Sequence, residues 1–580
     1  MVEVFAAYSR LWALSEIVVN HGTMFLSPGC EAFSAAECAS TPWWFIFEMV
    51  LWVAVLVRPT RATVTLSMLT RVAQYRMQSP FIWESCHWAD ATELAFVAVL
   101  QLCPLEAAVH EAAGLVRTMM GLFYIGAGFW KMNTSFLDAR VSCGSIYVAS
   151  LLATFLPPAL RPEWLVAPLV ASAPWATILG ETAIGVLLLV PRRAAQRVGF
   201  VLSNLLHYAI CVTPYPNAVP LFGVFCYTRL FFVMPEAWTA ALREAASPAA
   251  SARGAAARAA AVALAAASAS CTSEPGVTVN PGIPAQTLLC LLGARAVALD
   301  VQGAGAWTMA APSRRASIGP GRAALLKANA AAWLLAVTFY VFLAQPLGLI
   351  SISGTSPFAQ IREHGGSNHL FMPTGLLQQW PASRRLDAFG GGVVRVTASS
   401  SDYLNALYPA NFTFELRPEI RQMLLAHGHI AQEYHPTVMR MFGPRIRSIL
   451  PHWPHPAVAG KDAPFPRYTI PGLELRRMLA EVRALGEGFT ITYERLPGVV
   501  GDEAWRHSAV EATVTLSEDG RGGRRCTVRA SGALFASACA DDEVALLPLP
   551  TGLLSRLVMH FLVWFPYPIV PGLDVLPCID

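Results

Sequence analysis

The sequence predicts an α-helical multi-pass membrane bundle carrying a C-terminal, mainly β soluble domain. Three observations predict it. Of the 580 residues 54% are hydrophobic and only 14% charged, with a mean hydropathy of +0.46, far from the average of soluble chains. Apolar runs long enough to cross or nearly cross a bilayer recur as far as residue 346. Beyond residue 347 the pattern changes to the alternation of strands.

The runs fall at about residues 4 to 25, 43 to 57, 62 to 78, 90 to 103, 113 to 130, 163 to 191, 198 to 213, 216 to 235, 284 to 300, 323 to 346 and 552 to 575. Several carry a charge, such as Arg10, Glu16, Arg71 and Arg117. A charge within a span faces protein or a cavity rather than lipid, so the predicted bundle has a polar interior. Residues 1–236 form the main set of spans. Residues 237–322 read as a linker, with Ala-rich low-complexity helix or linker at 239 to 270 and a Pro/Gly/Ser-rich loop around one doubtful span at 271 to 320. A further span follows at 323–346. The N-terminus, Met1-Val2-Glu3-Val4-Phe5, lacks the basic segment and cleavage site of a signal peptide, so the first apolar helix is expected to act as the targeting signal.

Residues 347–550 are expected to form the soluble domain, and 551–580 a C-terminal apolar segment with the length of a span. Strands are predicted at Val393–Val396, Phe412–Leu416, Phe489–Tyr493, Ala512–Leu516 and Cys526–Arg529, the last two joined by the turn-rich Glu518-Asp519-Gly520-Arg521-Gly522-Gly523. A helix is predicted from Arg417 to about Phe442. The twelve cysteines include no C-x-x-C pair, which excludes a zinc ribbon and a thioredoxin-type motif. Cys526 and Cys539 can pair if the domain faces an oxidising lumen.

The net charge is +4, and the basic residues sit in short loops rather than along a stripe, which argues against nucleic acid as a partner. Arg58 with Arg61, then Arg192, Arg193 and Arg197, then Arg314, Arg315, Arg322 and Lys327 mark three cytosolic loops. The segment after Lys131 and residues 347–550 then fall on the lumenal side of an endomembrane such as the endoplasmic reticulum. The sequon Asn411-Phe412-Thr413 agrees with this placement.

The most informative stretch is Phe123-Tyr124-Ile125-Gly126-Ala127-Gly128-Phe129-Trp130-Lys131-Met132-Asn133, a helix that packs through small residues and ends in a lysine. Lys131 has two readings: a snorkelling interfacial cation, or a buried amine whose desolvation favours the neutral, basic form. Glu181 lies well inside an apolar run and needs a partner within the bundle. His207, on the next span, and His87, opening a lumenal-side span, can converge on Lys131, although each histidine alone fits a structural role. His427, His429, His435, Glu433 and His452 resemble a zinc set only in composition, and a structural or surface role is the simpler reading. The chain has no Gly-x-Ser-x-Gly and no His-Glu-x-x-His, and Gly390-Gly391-Gly392 lacks the strand-loop-helix order of a nucleotide site.

The run Gly126-Ala127-Gly128-Phe129-Trp130-Lys131, followed by Met132-Asn133, resembles the helix end of the vitamin K-dependent gamma-carboxylase family and its wider class, the horizontally transferred transmembrane (HTTM) domain proteins. So do Thr177-Ile178-Leu179-Gly180-Glu181, Leu187–Pro191, Gly199, His207 and Phe222-Gly223-Val224-Phe225. The resemblance covers roughly residues 5 to 236. It implies that Lys131 is the base that deprotonates vitamin K hydroquinone, that His87 supports the developing anion, and that His207 and Glu181 line the cofactor cavity. In that family, oxygen addition to the quinol anion gives an alkoxide that removes a γ-proton from a peptide glutamate, and carbon dioxide adds. Such a base requires a pocket that excludes water. The implied partners are the bilayer and a Glu-containing peptide or protein, with no metal. The chain departs from the carboxylases at Trp130, where they carry a second lysine, and at Asn133, where they carry an acid. The soluble part shows no match to their propeptide-binding region. The same resemblance also fits a non-carboxylating protein of this fold that binds or transports a lipid or quinone.

Overall fold

The computed structural model describes residues 2–21, 43–78, 84–213, 222–248, 252–272, 282–303 and 319–347 of the helical part. In the C-terminal part it describes 359–361, 368–372, 392–401, 413–415, 418–426, 434–436, 468–484, 488–496, 510–553 and 567–568, with a few single positions. Asn411, His427, His429, Glu433, His452, Arg314 and Arg315 lie outside the described residues.

The helices are α1 (Val2–Glu16, continued by a π-helical turn), α2 (Trp43–Val57), α3 (Arg61–Gln78), α4 (Glu84–Leu102), α5 (Leu105–Trp130), α6 (Cys143–Phe155), α7 (Glu163–Leu189), α8 (Arg193–Val212), α9 (Phe222–Leu230), α10 (Pro235–Ala246), α11 (Ala252–Thr272), α12 (Gly282–Gly303) and α13 (Pro320–Phe342). Five stretches among the described residues are long and apolar enough to cross a membrane: Leu105–Trp130, Glu163–Leu189, Gly254–Thr272, Gly282–Gly303 and Pro320–Phe342. The third lies in the Ala-rich segment read from sequence as low-complexity helix or linker. Alanine has the best intrinsic helix propensity, and α11 packs along α12, its Ser268 Oγ 2.9 Å from the phenol oxygen, Oη, of Tyr208 on α8.

Most of the helices share one core, in which Trp12, Trp52, Trp88 and Trp238 are fully buried, while Trp130, also fully buried, packs with Ala359 and Ile361. α5 and α7 run antiparallel at close range because glycines face each other. A Cβ on Gly128 would lie 2.3 Å from Thr182 Oγ1, and one on Gly185 would lie 2.6 Å from Gly121 O. Contacts between helix ends fix their sense. Arg10 Nε donates to Leu56 O (3.0 Å) and Arg61 Nη2 to Cys103 O (2.7 Å). Arg193 and Arg197 both hold Asp300, near the end of α12. The described members of the basic clusters thereby gather at one end of the helical part. Lys131 lies at the other, beside the end of α13, where Trp130 Nε1 donates to Val341 O (2.6 Å).

The C-terminal part is a seven-stranded antiparallel sheet with a helix across one face. Its strands are β1 (Val393–Ser399), β4 (Tyr468–Pro471), β5 (Phe489–Arg495), β6 (Ala512–Glu518), β7 (Arg524–Ala530), β8 (Ser537–Ala538) and β9 (Tyr567–Pro568), while β2 (Thr413–Glu415) and β3 (Tyr434–Pro436) form a separate pair. The order across the sheet is β8-β7-β6-β5-β1-β4-β9. Alternate residues Val394, Val396, Ile491, Tyr493, Val514 and Leu516 meet Leu475, Met478, Leu479 and Val482 of helix α15 (Gly472–Ala484), the pattern expected of a sheet with one covered face.

Two sequence expectations change here. The helix expected from Arg417 to Phe442 is α14, Pro418–Ala426. It stops at Gly428, whose φ of +76° is a left-handed termination that glycine supplies, and strand β3 follows. Within the apolar run at 552 to 575, the described Tyr567 and Pro568 pair with Thr469 and Tyr468 in the sheet, so these two residues are strand and not helix. Cys526 and Cys539 are disulfide-bonded, and a second disulfide joins Cys143 of α6 to Cys578.

Candidate functional site: a buried lysine–glutamate pair

α5 ends where its carbonyls need partners, and the sequence supplies them locally. Asn133 caps the short helical turn Thr134–Leu137, its Oδ1 accepting from Ser135 N and Phe136 N (3.0 and 2.8 Å). Its Nδ2 donates back to Trp130 O (2.9 Å) and across to Ala359 O (2.6 Å). The chain around Lys131 is thus fixed from both sides. The side chain turns inward: Lys131 is 3% exposed, and Nζ donates to Glu181 Oε2 and Oε1 at 2.9 and 3.1 Å and to Ala127 O at 3.5 Å. The Phe136 ring lies 5.8 Å from Nζ. Glu181 is brought there by the approach of α7 at Gly128. Lys131 is therefore not snorkelling into solvent but completing a charge pair in the protein interior.

The segment 368–372 covers this helix end. Thr134 N donates to Asn368 O, Leu370 N to Met132 O, and Asn368 Nδ2 to Ser135 Oγ (2.9 Å). His369 Nδ1 accepts from Phe371 N and Met372 N, both at 3.1 Å, so its proton sits on Nε2, which donates to Phe129 O (2.8 Å). Burial holds this imidazole below its ordinary value, against the opposing pull of the Phe129 carbonyl.

His207 is also in contact with α5, but earlier along it. Its Nε2 is 2.5 Å from Tyr124 Oη, which also meets Ser203 Oγ at 2.5 Å. Tyr124 precedes Lys131 by seven residues, about 10 Å of helix. His207 Nδ1 is buried and has no hydrogen-bond partner among the described residues. His87 belongs elsewhere. Arg76 Nη1 lies 2.5 Å from its Nδ1, and its ring is 5.7 Å from that of Tyr340. Of the four residues singled out from sequence, the structure joins Lys131 to Glu181, holds His207 on the same helix through Tyr124, and ties His87 to a separate cluster of charges.

That cluster was hinted at in sequence only by Glu16 and Arg71. Arg71 donates to Glu16 (3.0 Å), Asp90 (2.8 Å) and Glu93 (2.8 Å); Arg229 donates to Glu93 (2.6 Å), and Arg76 to Asp90 (2.5 Å). Trp12 Nε1 also donates to Glu93 (3.0 Å). Sequence reasoning missed Asp90, Glu93, Arg229, Tyr124, Asn133 and His369; a charge at mid-run was the available signal for the first three. Among the described residues no group of three or more His, Cys, Asp and Glu is placed to hold a metal ion.

The molecule is thus of the class in which a helical core with buried ionised groups carries an antiparallel-sheet domain over one end. Residues 367–556, about a third of the chain, match the family described as a domain of unknown function (DUF8388). That match begins at the segment that covers Lys131 and takes in every strand of the sheet but β9. No curated protein and no solved structure matches the chain.

Proposed function

We propose that the protein is a multi-pass membrane protein of the endoplasmic reticulum or a related endomembrane, and that its helical core carries quinol-dependent, gamma-carboxylase-like chemistry with Lys131 as base. The observation that carries this reading is the buried Lys131–Glu181 pair, at the helix end that resembles the family's. An ammonium held by a carboxylate is an acid. It becomes a base when its proton passes from Nζ to a Glu181 oxygen, leaving a neutral amine and a neutral acid, a transfer that a dry interior favours. Glu181 in this reading is the proton's resting place as well as a cavity-lining group. His207 Nδ1, buried without a partner, is the polar atom that a ring hydroxyl or carbonyl of a quinol would satisfy, so the residues present suit such a group. A bound quinol would supply an oxidisable, acidic hydroxyl. The test is incorporation of carbon dioxide into glutamate peptides by purified protein, with and without vitamin K hydroquinone. Quinol-dependent incorporation that Lys131→Arg abolishes is the expected result, and its absence with every quinol tried overturns the carboxylase reading.

A second reading draws on the same geometry. Both Glu181 oxygens lie within 3.1 Å of Nζ, so the pair also works as a structural pin in a protein that binds or transports a lipid or quinone. Ligand binding that survives Lys131→Met combined with Glu181→Met favours this version.

A further inference from the structure

The sheet domain presents two large apolar side chains to solvent at a single turn. Leu534 and Phe535 are 88% and 85% exposed, in the connection between β7 and β8. The turn is held in shape. Ser531 N donates to Glu511 O (2.8 Å), Ala533 N to Ala530 O (3.0 Å), Gly532 takes a positive φ of +79°, and the Cys526–Cys539 disulfide closes the hairpin behind it. Exposed apolar residues on a rigid tip mark a contact surface.

Strand register shows which way the tip faces. Ile470 pairs with Val394, Val394 with Arg495, Arg495 with Ala512 and Ala512 with Ala530, a single row across the sheet. At the β4 end of that row the chain enters α15 through Leu473, which packs on Leu349. Leu349 N donates to Ala344 O just past α13, so this row borders the Lys131 end of the helical part. The Leu534–Phe535 turn leaves from the β7 end of the same row, four strand spacings away, about 19 Å to the side. Leu549 packs with Leu473 and Leu349, and Leu553, four residues on, is 77% exposed. Arg529, exposed, stands at the base of the turn.

We infer that the Leu534–Phe535 turn inserts into the bilayer surface beside the helical core, an outrigger that fixes the height and tilt of the sheet domain. This rests on the reading of the helical part as membrane-spanning. Lipid fits the position: the tip lies at the level of the helix ends but to one side of them, where a membrane interface begins, and a cation beside two apolar side chains matches a phosphate above acyl chain.

The test is photocrosslinking of the full-length protein in phospholipid nanodiscs. p-Benzoylphenylalanine replaces Phe535, Leu179 (65% exposed on α7) or Arg521, which lies in the hairpin at the opposite end of β7. Lipid adducts at 535 and 179 but not at 521 are expected. An adduct at 179 with none at 535 overturns the inference and leaves the membrane reading standing; no lipid adduct at 179 removes both. A protein adduct in place of lipid at 535 also overturns it, assigning the turn to a partner or a second copy. Leu534→Ser with Phe535→Ser, which touches no core residue, should leave the folded yield unchanged while loosening the domain's protection from protease in nanodiscs.

Discussion

Lys131 and Glu181 exclude water from each other's charge, so neither can be removed alone at small cost. Glu181→Ala strands a buried ammonium, and loss of one partner of a buried pair costs about 3–5 kcal/mol. The expected outcome is a large drop in detergent thermostability, partly restored by adding Lys131→Met. Unchanged melting of Glu181→Ala would mean that the pair contributes nothing to the fold. Lys131→Arg keeps charge and pairing but cannot release a proton, so under the proposed carboxylase-like reading any turnover should vanish while melting stays near the parent. His369 adds a pH dependence. Its folded-state value is lowered by burial, so the unfolded chain takes up a proton first as the pH falls below about 6.5. Stability present above that pH is lost as the pH drops toward the folded-state value, and the two backbone amides donating to Nδ1 lose their acceptor. His369→Asn should flatten this acid limb of the stability profile, measured by melting across pH in detergent; an identical limb would assign it to other groups.

Between elements, the contact that builds the site is that of α5 with α7. Gly128 admits α7 closely enough for Glu181 to reach Lys131, and a valine there would collide with Thr182 Oγ1 and Ile178 O. Overpacking of this kind costs about 1–3 kcal/mol. Gly128→Val should therefore lower both stability and any Lys131-dependent activity, whereas Gly114→Val, with nothing within 4 Å of its Cβ, should lower neither measurably. The packing run around Lys131 was legible in sequence because small residues at a helix end have few other uses. The partner was half legible: Glu181 demanded a counter-charge, yet nothing in its spacing named Lys131. The expected convergence of His87 on Lys131 does not occur, since a span's face is set by packing, and α4 turns His87 toward Arg76. β4 and α15 also escaped the pattern, because Tyr468–Pro471 is buried on every residue and shows no alternation to detect. The charge cluster on α1, α3, α4 and α9 reads as separate, dispersed residues until folding assembles them.

Across the whole molecule, two independent signs agree about sidedness. The described arginines of the basic loops gather at one end of the helical part, the end expected to remain cytosolic. The disulfides Cys143–Cys578 and Cys526–Cys539 lie at the other end or in the sheet domain, and disulfides persist in oxidising compartments. Cys143–Cys578 spans 435 residues of sequence and ties the C-terminal end of the chain beside Phe136 and Ile178, next to the Lys131 helix end. If the helices span an endomembrane, the sheet domain must then be lumenal. In sealed microsomes, protease added outside should cut at the exposed Arg192, in the connection between α7 and α8, and leave 392–553 intact until detergent opens the vesicles. A fragment of the uncut domain should remain attached to α6 on non-reducing gels and separate on reduction, because Cys143–Cys578 bridges the cut. Digestion of the sheet domain from outside, with the Arg192 loop protected, would invert the topology and place both disulfides in the reducing cytosol.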